Sequence, residues 1–316
     1  MRSGILAIIS TLGLALALGC GGSGGSGGSS TSNSPVYSGK STPAVLSSQS
    51  DVSTLTLAAM NGAQAGSVSL AATTQGGTQV ARAVPNLVQT LAKVAGIIKP
   101  GTPLAAGDNF SNSVAGGCGG TASFSGSSSS GTGGFAASGV LTFSGYCNAA
   151  SDGSQVVLNG SVQFSMSGTS ADAFQLTLTS SYLSMTMGSL SYTMTLNYSC
   201  SYNAGAISSV SLSCFYQSSD GKVYWVDNYQ VTADASANTL SISGRFYDPD
   251  YGYVDVSTPT TLVYTWCASA NAYLPTSGSL EVTGANGYGE FNAVDCSQYQ
   301  ICYNIGAGVV CGYVSW

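Results

Sequence analysis

The chain has 316 residues, a formal charge of −6, only 6% charged residues, nine cysteines and no histidine. The missing histidine excludes Ser-His-Asp and Cys-His nucleophilic sites, His-ligated metals and CxxCH haem attachment. No basic run exists, which argues against nucleic acid and anionic head groups as partners, so solubility must come from Ser, Thr, Asn and Gln.

In chain order, Arg2 precedes an apolar run from Ile5 to Leu18, and Leu16-Ala17-Leu18-Gly19 then meets Cys20. A short positive start, an apolar stretch of this length and small residues before a cut describe an export signal. Because the cut falls at a cysteine, the segment resembles the bacterial lipobox. That resemblance implies a covalent lipid on Cys20 as the first mature residue. Gly21 in place of Asp implies a lipid anchor in the outer membrane of a Gram-negative cell, with the domain on the periplasmic or cell-surface side. Removal of Arg2 with the leader leaves six basic against thirteen acidic residues, a net charge of −7. The organisation read from this is a signal peptide over 1–19, a lipidated cysteine and tether over 20–45, and one β-rich domain over 46–316. Gly21 to Ser34 is nearly pure Gly and Ser, a flexible coil with an r.m.s. span of about 20 Å.

Ser50 to Met60 fits a short helix stopped near Gly62, but Val52, Leu55 and Leu57 fit a strand nearly as well. Val84 to Lys99 is predicted as an amphipathic helix. Pro85 suits its first turn, Leu87, Val88, Leu91, Val94, Ala95 and Ile98 make one apolar stripe, and Lys99-Pro100-Gly101 ends it. From Gly120 the hydrophobic period becomes two. Leu190, Tyr192, Met194, Leu196, Tyr198 and Cys200 alternate with polar residues, and shorter runs before them do the same. With no βαβ alternation, the expected fold is mainly β: a large antiparallel meander or open barrel with the helix 84–99 packed on it.

Asp220-Gly221 and Asn286-Gly287 read as two-residue hairpin turns, while Asn159-Gly160 reads as an interruption inside a strand. The first turn opposes Tyr216 to Trp225 and Phe215 to Val226. It makes Phe215, Tyr216, Tyr224 and Trp225 candidates for a ligand-stacking surface, against the plainer reading of a covered core hairpin. The second places Glu281 and Glu290, the only glutamates, as diagonal neighbours. That is the spacing of a glycosidase acid-base pair and equally of a solvated hairpin face.

With Cys20 lipidated, eight cysteines remain, and neighbours in sequence are the expected disulfide partners: Cys118 with Cys147, Cys200 with Cys214, Cys267 with Cys296, and Cys302 with Cys311. A calcium site on Asp248, Asp250 and Asp255 competes with an Asx-capped turn, because the segment departs from an EF-hand loop at positions five, six and twelve. No phosphate-binding loop is present.

The run Ser243-Gly244-Arg245-Phe246-Tyr247-Asp248-Pro249-Asp250-Tyr251-Gly252-Tyr253-Val254-Asp255, with Gly221 to Trp225 before it and Ser277 to Gly287 after it, resembles a family of uncharacterised Ser/Thr-rich exported lipoproteins of Gram-negative bacteria. The resemblance covers roughly Cys118 to Gly287 and implies a lipobox start and a strand meander, but no activity. The leading expectation is a membrane-anchored lipoprotein that is not an enzyme and carries an apolar ligand in an open β-barrel, where Met166, Met185, Met187 and Met194 suit an adaptable cavity. The alternative is a cell-surface recognition or adhesion module using a Tyr/Trp-rich sheet face toward a glycan or protein. A third reading is a transmembrane β-barrel, for which the alternating end Val310, Gly312, Val314, Trp316 speaks. No cofactor beyond the covalent lipid is expected.

Overall fold

The computed structural model describes residues 34–66, 108–131, 133–149, 155–170, 173–187, 190–203, 206–217, 221–234, 237–269, 272–306 and 308–316. They form one antiparallel sheet of fourteen strands and one helix. The strands are β1 (Asp108–Ala115), β2 (Gly119–Gly131), β3 (Gly134–Ala149), β4 (Gln155–Ser170), β5 (Ala173–Met187), β6 (Leu190–Asn203) and β7 (Ala206–Gln217). They continue as β8 (Val223–Asp234), β9 (Thr239–Asp248), β10 (Gly252–Cys267), β11 (Ala272–Thr283), β12 (Tyr288–Ala293), β13 (Gln298–Asn304) and β14 (Val309–Ser315). Their order across the sheet is their order in the chain, so every ladder joins consecutive strands. The sheet is not closed, and β1 and β14 are its edges.

The two-residue period does what it predicts. Inward positions such as Leu141, Val162, Leu178, Met185 and Tyr198 are buried, and the polar residues between them face outward. Asn159-Gly160 lies inside β4, at an irregularity in its pairing with both neighbours, with Gly160 at φ 119°.

The helix packed on the sheet is α1 (Gln49–Gly66), the segment whose sequence fits helix and strand about equally. The helix expected over 84–99 lies outside the described residues. Local chemistry explains why α1 forms. Ser48 Oγ accepts the Asp51 N–H at 3.2 Å, and the Asp51 carboxylate accepts from Ser47 N and Ser47 Oγ, a variant of the capping box. Val52, Leu55, Thr56, Ala59 and Met60 then repeat at helical spacing and are all buried.

α1 lies against β7 to β9 and β11 to β13. The helix packs closely over Gly289 of β12, where a Cβ would stand 2.2 Å from Val52 Cγ1, so a side chain there would push Val52 aside. On the other side of the contact, the buried Tyr229 hydroxyl donates to Ala59 O at 3.3 Å.

The strap leading into α1 is tied to the end of the sheet. Thr42 O accepts from Tyr253 N, Ala44 N donates to Tyr253 O, and Ala285 N donates to Ala44 O. Asn286 closes the arrangement: its Oδ1 accepts Leu46 N and its Nδ2 donates to Leu46 O, both at 2.8 Å. This side chain completes two backbone hydrogen bonds of a segment 240 residues away.

Both hairpin registers differ from the two-residue expectation. In β7–β8, Gln217 pairs with Val223, so five residues connect the strands and Phe215 opposes Trp225, not Val226. The shift is by one residue, and it changes which side chains share a face. In β11–β12, Thr283 pairs with Tyr288, leaving a four-residue connection, and Glu281 directly opposes Glu290. That shift is by two, so Leu280, Val282 and Phe291 keep the buried face the alternation gives them.

Candidate functional site

Three of the four expected cystine pairs are joined. Cys118–Cys147 ties the β1–β2 turn to β3, Cys267–Cys296 ties the end of β10 to the β12–β13 connection, and Cys302–Cys311 crosses from β13 to the edge strand β14. The expected Cys200–Cys214 pair is corrected: both are free thiols. In the β6–β7 ladder Cys200 opposes Val210 and Asn197 opposes Ser213. Cys214 therefore sits about four residues, roughly 13 Å, further along its strand, beyond disulfide reach. Burial pushes the Cys200 thiol up to about 11 and the Cys214 thiol up to about 12.

Of the two readings of the Asp248 to Asp255 segment, the Asx-capped turn is the one present, and each carboxylate has its own partner. Asp248 Oδ1 accepts Asp250 N at 2.8 Å and Tyr251 N at 3.1 Å, which is the Asx-capped turn. Asp250 pairs with Lys222. Asp255 is held by Arg245 through Nε at 2.7 Å and a second guanidinium nitrogen at 3.1 Å. The three do not converge, and no cluster of potential metal ligands occurs among the described residues. Burial, the largest influence, raises the Asp248 carboxyl above its usual range. Glu281 and Glu290 stand side by side on the outer face with Thr283 Oγ1 donating to Glu281.

The four aromatic candidates divide between the faces. Tyr216 and Tyr224 pack against the core, stacked on one another at 5.1 Å, with Phe246 next to Tyr224. Phe215 and Trp225 lie on the outer face, joined by two rings the sequence reading did not select, Tyr247 and Tyr253. Trp225 and Tyr247 stack face to face, with centroids 4.1 Å apart and 14° between planes. Tyr37 from the strap covers both, at 6.0 and 5.5 Å, and donates its hydroxyl to Asp248 O and Lys40 O. Arg245 sits over Tyr253 at 3.9 Å. Trp225 and Tyr247 turn their faces to one another, the remaining rings pack against them tilted or edge-on, and Tyr247 is only 7% exposed. The cluster fastens the strap to the sheet and offers a ligand mainly ring edges.

The N-terminal half presents a different surface. β2 to β7 contain no charged residue at all, and no Lys or Arg occurs between Lys99 and Lys222. Many of their outward positions carry hydroxyls and amides in rungs that cross the strands. Ser138 opposes Ser165, which opposes Thr177; one rung further along, Val140 opposes Gln163, which opposes Thr179. These residues line a shallow depression of about 380 Å³. A second, of about 560 Å³, is lined by the next rung, Ser129, Ala136 and Ser167, with Gly133, Gly134 and Gly168.

Fold and surface together define an open antiparallel meander with a helix on one face and an outer face that is uncharged over β2 to β7 and carries aromatic and charged residues over β8 to β12. Comparison with known proteins finds no matching family model, no matching curated protein and no matching solved structure.

Proposed function

We propose that this chain is an exported lipoprotein, anchored to the outer membrane through Cys20, whose folded domain is a non-catalytic recognition module. The observation that carries this reading is the division of labour between the faces of the sheet. The apolar face is occupied: Met166, Met185 and Met194, which would suit an adaptable carrier cavity, are 3%, 0% and 2% exposed within one continuous core. The outward face of β2 to β6 is mainly polar, the reverse of the apolar band that a lipid-facing barrel needs. What these strands offer to their surroundings is therefore a polar surface.

Three disulfides support export, since such bonds persist in oxidising compartments. The lipobox and the resemblance to Ser/Thr-rich lipoproteins support the anchor. Asp248, Asp250 and Asp255 are engaged in a turn, an ion pair and a guanidinium clamp, which supports a structural role for that segment over an acid-base one.

The test uses the full-length protein purified from membranes. Metabolic labelling with palmitate is expected to mark the wild type and not Cys20→Ser. Native mass spectrometry is expected to give the mature chain with its covalent anchor alone. A stoichiometric non-covalent lipid in that spectrum would overturn recognition in favour of a carrier, and label retained by Cys20→Ser would overturn the anchor.

A further inference from the structure

We propose that β14 is a dimerisation edge, along which two copies of this chain pair antiparallel about a two-fold axis at Gly312. β14 ends the sheet, and among the described residues no strand pairs with it on the side away from β13. Which backbone groups face that side follows from one bond. Trp316 N donates to Ser297 O at 3.1 Å and continues the β13–β14 register by one rung. Bonded and unbonded rungs alternate in an antiparallel ladder, so Val310, Gly312 and Val314 turn their backbone groups to β13. Those of Val309, Cys311, Tyr313 and Ser315 point away from the sheet.

Three features mark this edge as a pairing site. Free sheet edges are ordinarily guarded by a charge, a proline or a bulge. β14 has none of these: its ladder with β13 runs without a register shift, and no charged side chain or proline occurs after Asp295. Its side chains are also apolar and uncovered. Of the nine large apolar side chains exposed among the described residues, four are Val309, Val310, Tyr313 and Trp316. Finally, the strand is already fixed in place, because Cys302–Cys311 bonds it to β13 and the Trp316 indole donates to Asp295 O at 2.8 Å. An incoming strand therefore meets a pre-ordered template.

The incoming strand is a second copy of β14 because β14 fits itself. With Gly312 opposite Gly312, all of Val309–Ser315 overlaps its copy, and the outward-pointing backbone groups meet only one another: Val309 with Ser315, and Cys311 with Tyr313. Val310 then meets Val314 of the second copy. Both lie on the face of the buried Tyr299 and Ile301, so the apolar layer continues from one copy into the other. This pairing closes at two copies. Joining β14 to β1 of another copy would instead set it against a strand bearing Asp108, Asn109 and Asn112, and would repeat into open filaments.

The test is sedimentation equilibrium of the full-length protein in a density-matched detergent over a range of concentrations. Two copies per particle are expected. Tyr313→Lys places a charge on the edge, and Tyr313→Pro removes one outward N–H while sparing the ladder to β13. Each is expected to weaken the dimer by about tenfold or more, with the three disulfides still formed as a report of the fold. Gly312→Cys is expected to give a covalent dimer on mild oxidation, since Cα atoms across an unbonded rung stand about 4.5 Å apart. The nearest atom to a Cβ there is Gln49 Nε2 at 3.2 Å, the end of a flexible side chain. One copy per particle at every concentration would overturn the dimer, and particles that grow without limit would overturn the two-fold pairing. A dimer unchanged in both Tyr313 variants, or lost on Cys20→Ser, would place the association elsewhere and overturn the edge. A dimer sensitive to Tyr313 that Gly312→Cys fails to cross-link would overturn the axis.

Discussion

Asn286→Ala tests how the strap and α1 are held to the sheet. The side chain makes two 2.8 Å hydrogen bonds to Leu46, one as acceptor and one as donor, and Leu46 is fully buried. A neutral hydrogen bond contributes about 0.5–1.5 kcal/mol net, and a buried group left without a partner costs about 1–3 kcal/mol. Asn286 itself is exposed, so water reaches part of the vacated position, and the expected loss is about 2–3 kcal/mol. The turn survives, since Gly284 N still donates to Gly287 O, and Asn286 does not occupy the left-handed region that alanine would resist. Asn286→Asp separates the two bonds. It keeps the acceptor for Leu46 N and replaces the donor with a carboxylate oxygen facing Leu46 O. It should therefore cost at least as much as alanine at neutral pH and less once acid protonates it. Urea unfolding followed by tryptophan fluorescence gives the energies, and timed proteolysis reports release of residues 34–48. An alanine variant as stable as wild type, with unchanged proteolysis of that segment, would refute the clamp.

Four further outcomes follow from the same physical arguments. Non-reducing mass spectrometry should find the chain lighter by six hydrogens than its reduced form, from three disulfides. Iodoacetamide at pH 8 should leave Cys200 and Cys214 unmodified until denaturant is added, because burial holds both thiols protonated; eight hydrogens lost would restore the fourth bridge. Leu55→Ala, at a fully buried position of α1, should cost about 2–5 kcal/mol in chemical denaturation. Asp248 has a folded pKa raised by burial, so its favourable contribution is complete below the unfolded pKa near 4 and is lost as pH rises through the folded value. Asp248→Asn keeps the oxygen that accepts from Asp250 and Tyr251, so its stability relative to wild type should grow as pH rises above about 4; a difference that shrinks with pH would contradict the assignment.

The meander was legible because alternation is a local property: Leu190 to Cys200 could be buried on one side only as a strand. Register was not legible in the same way. Asp220-Gly221 marks a turn correctly, and Gly221 takes a φ of 82°, but a dipeptide does not state how many residues the connection holds. At β11–β12 the error was even, and the apolar face survived. At β7–β8 the shift is odd, so the two-residue turn pairs Tyr216 with Trp225 although they lie on opposite faces. The Cys200–Cys214 expectation fails for a related reason, since nearness in sequence across a hairpin says nothing of the rung each cysteine occupies. For α1 the signals were present in Ser48, Asp51 and the spacing of Val52, Leu55 and Ala59, but Leu55 and Leu57 imitate a strand. The aromatic cluster unites Tyr37, ahead of α1, with Trp225 and Tyr247 on β8 and β9, and no window on the sequence spans that separation.

The sequential strand order has a consequence for the order in which the protein assembles. Each ladder joins neighbours in the chain, so hairpins can form one after another as the polypeptide emerges from its N-terminus onward, and short connections make each addition entropically cheap. α1 breaks this rule. It emerges early, yet the strands it covers, β7 to β9 and β11 to β13, come late in the chain. Its apolar side must wait, exposed, until those strands have followed, and Asn286 then latches Leu46 from a turn near the end of the chain. The first of the described elements to appear is thus the last to dock. A chain truncated before β11 would be left with a helix that has lost much of its berth and no latch to hold it.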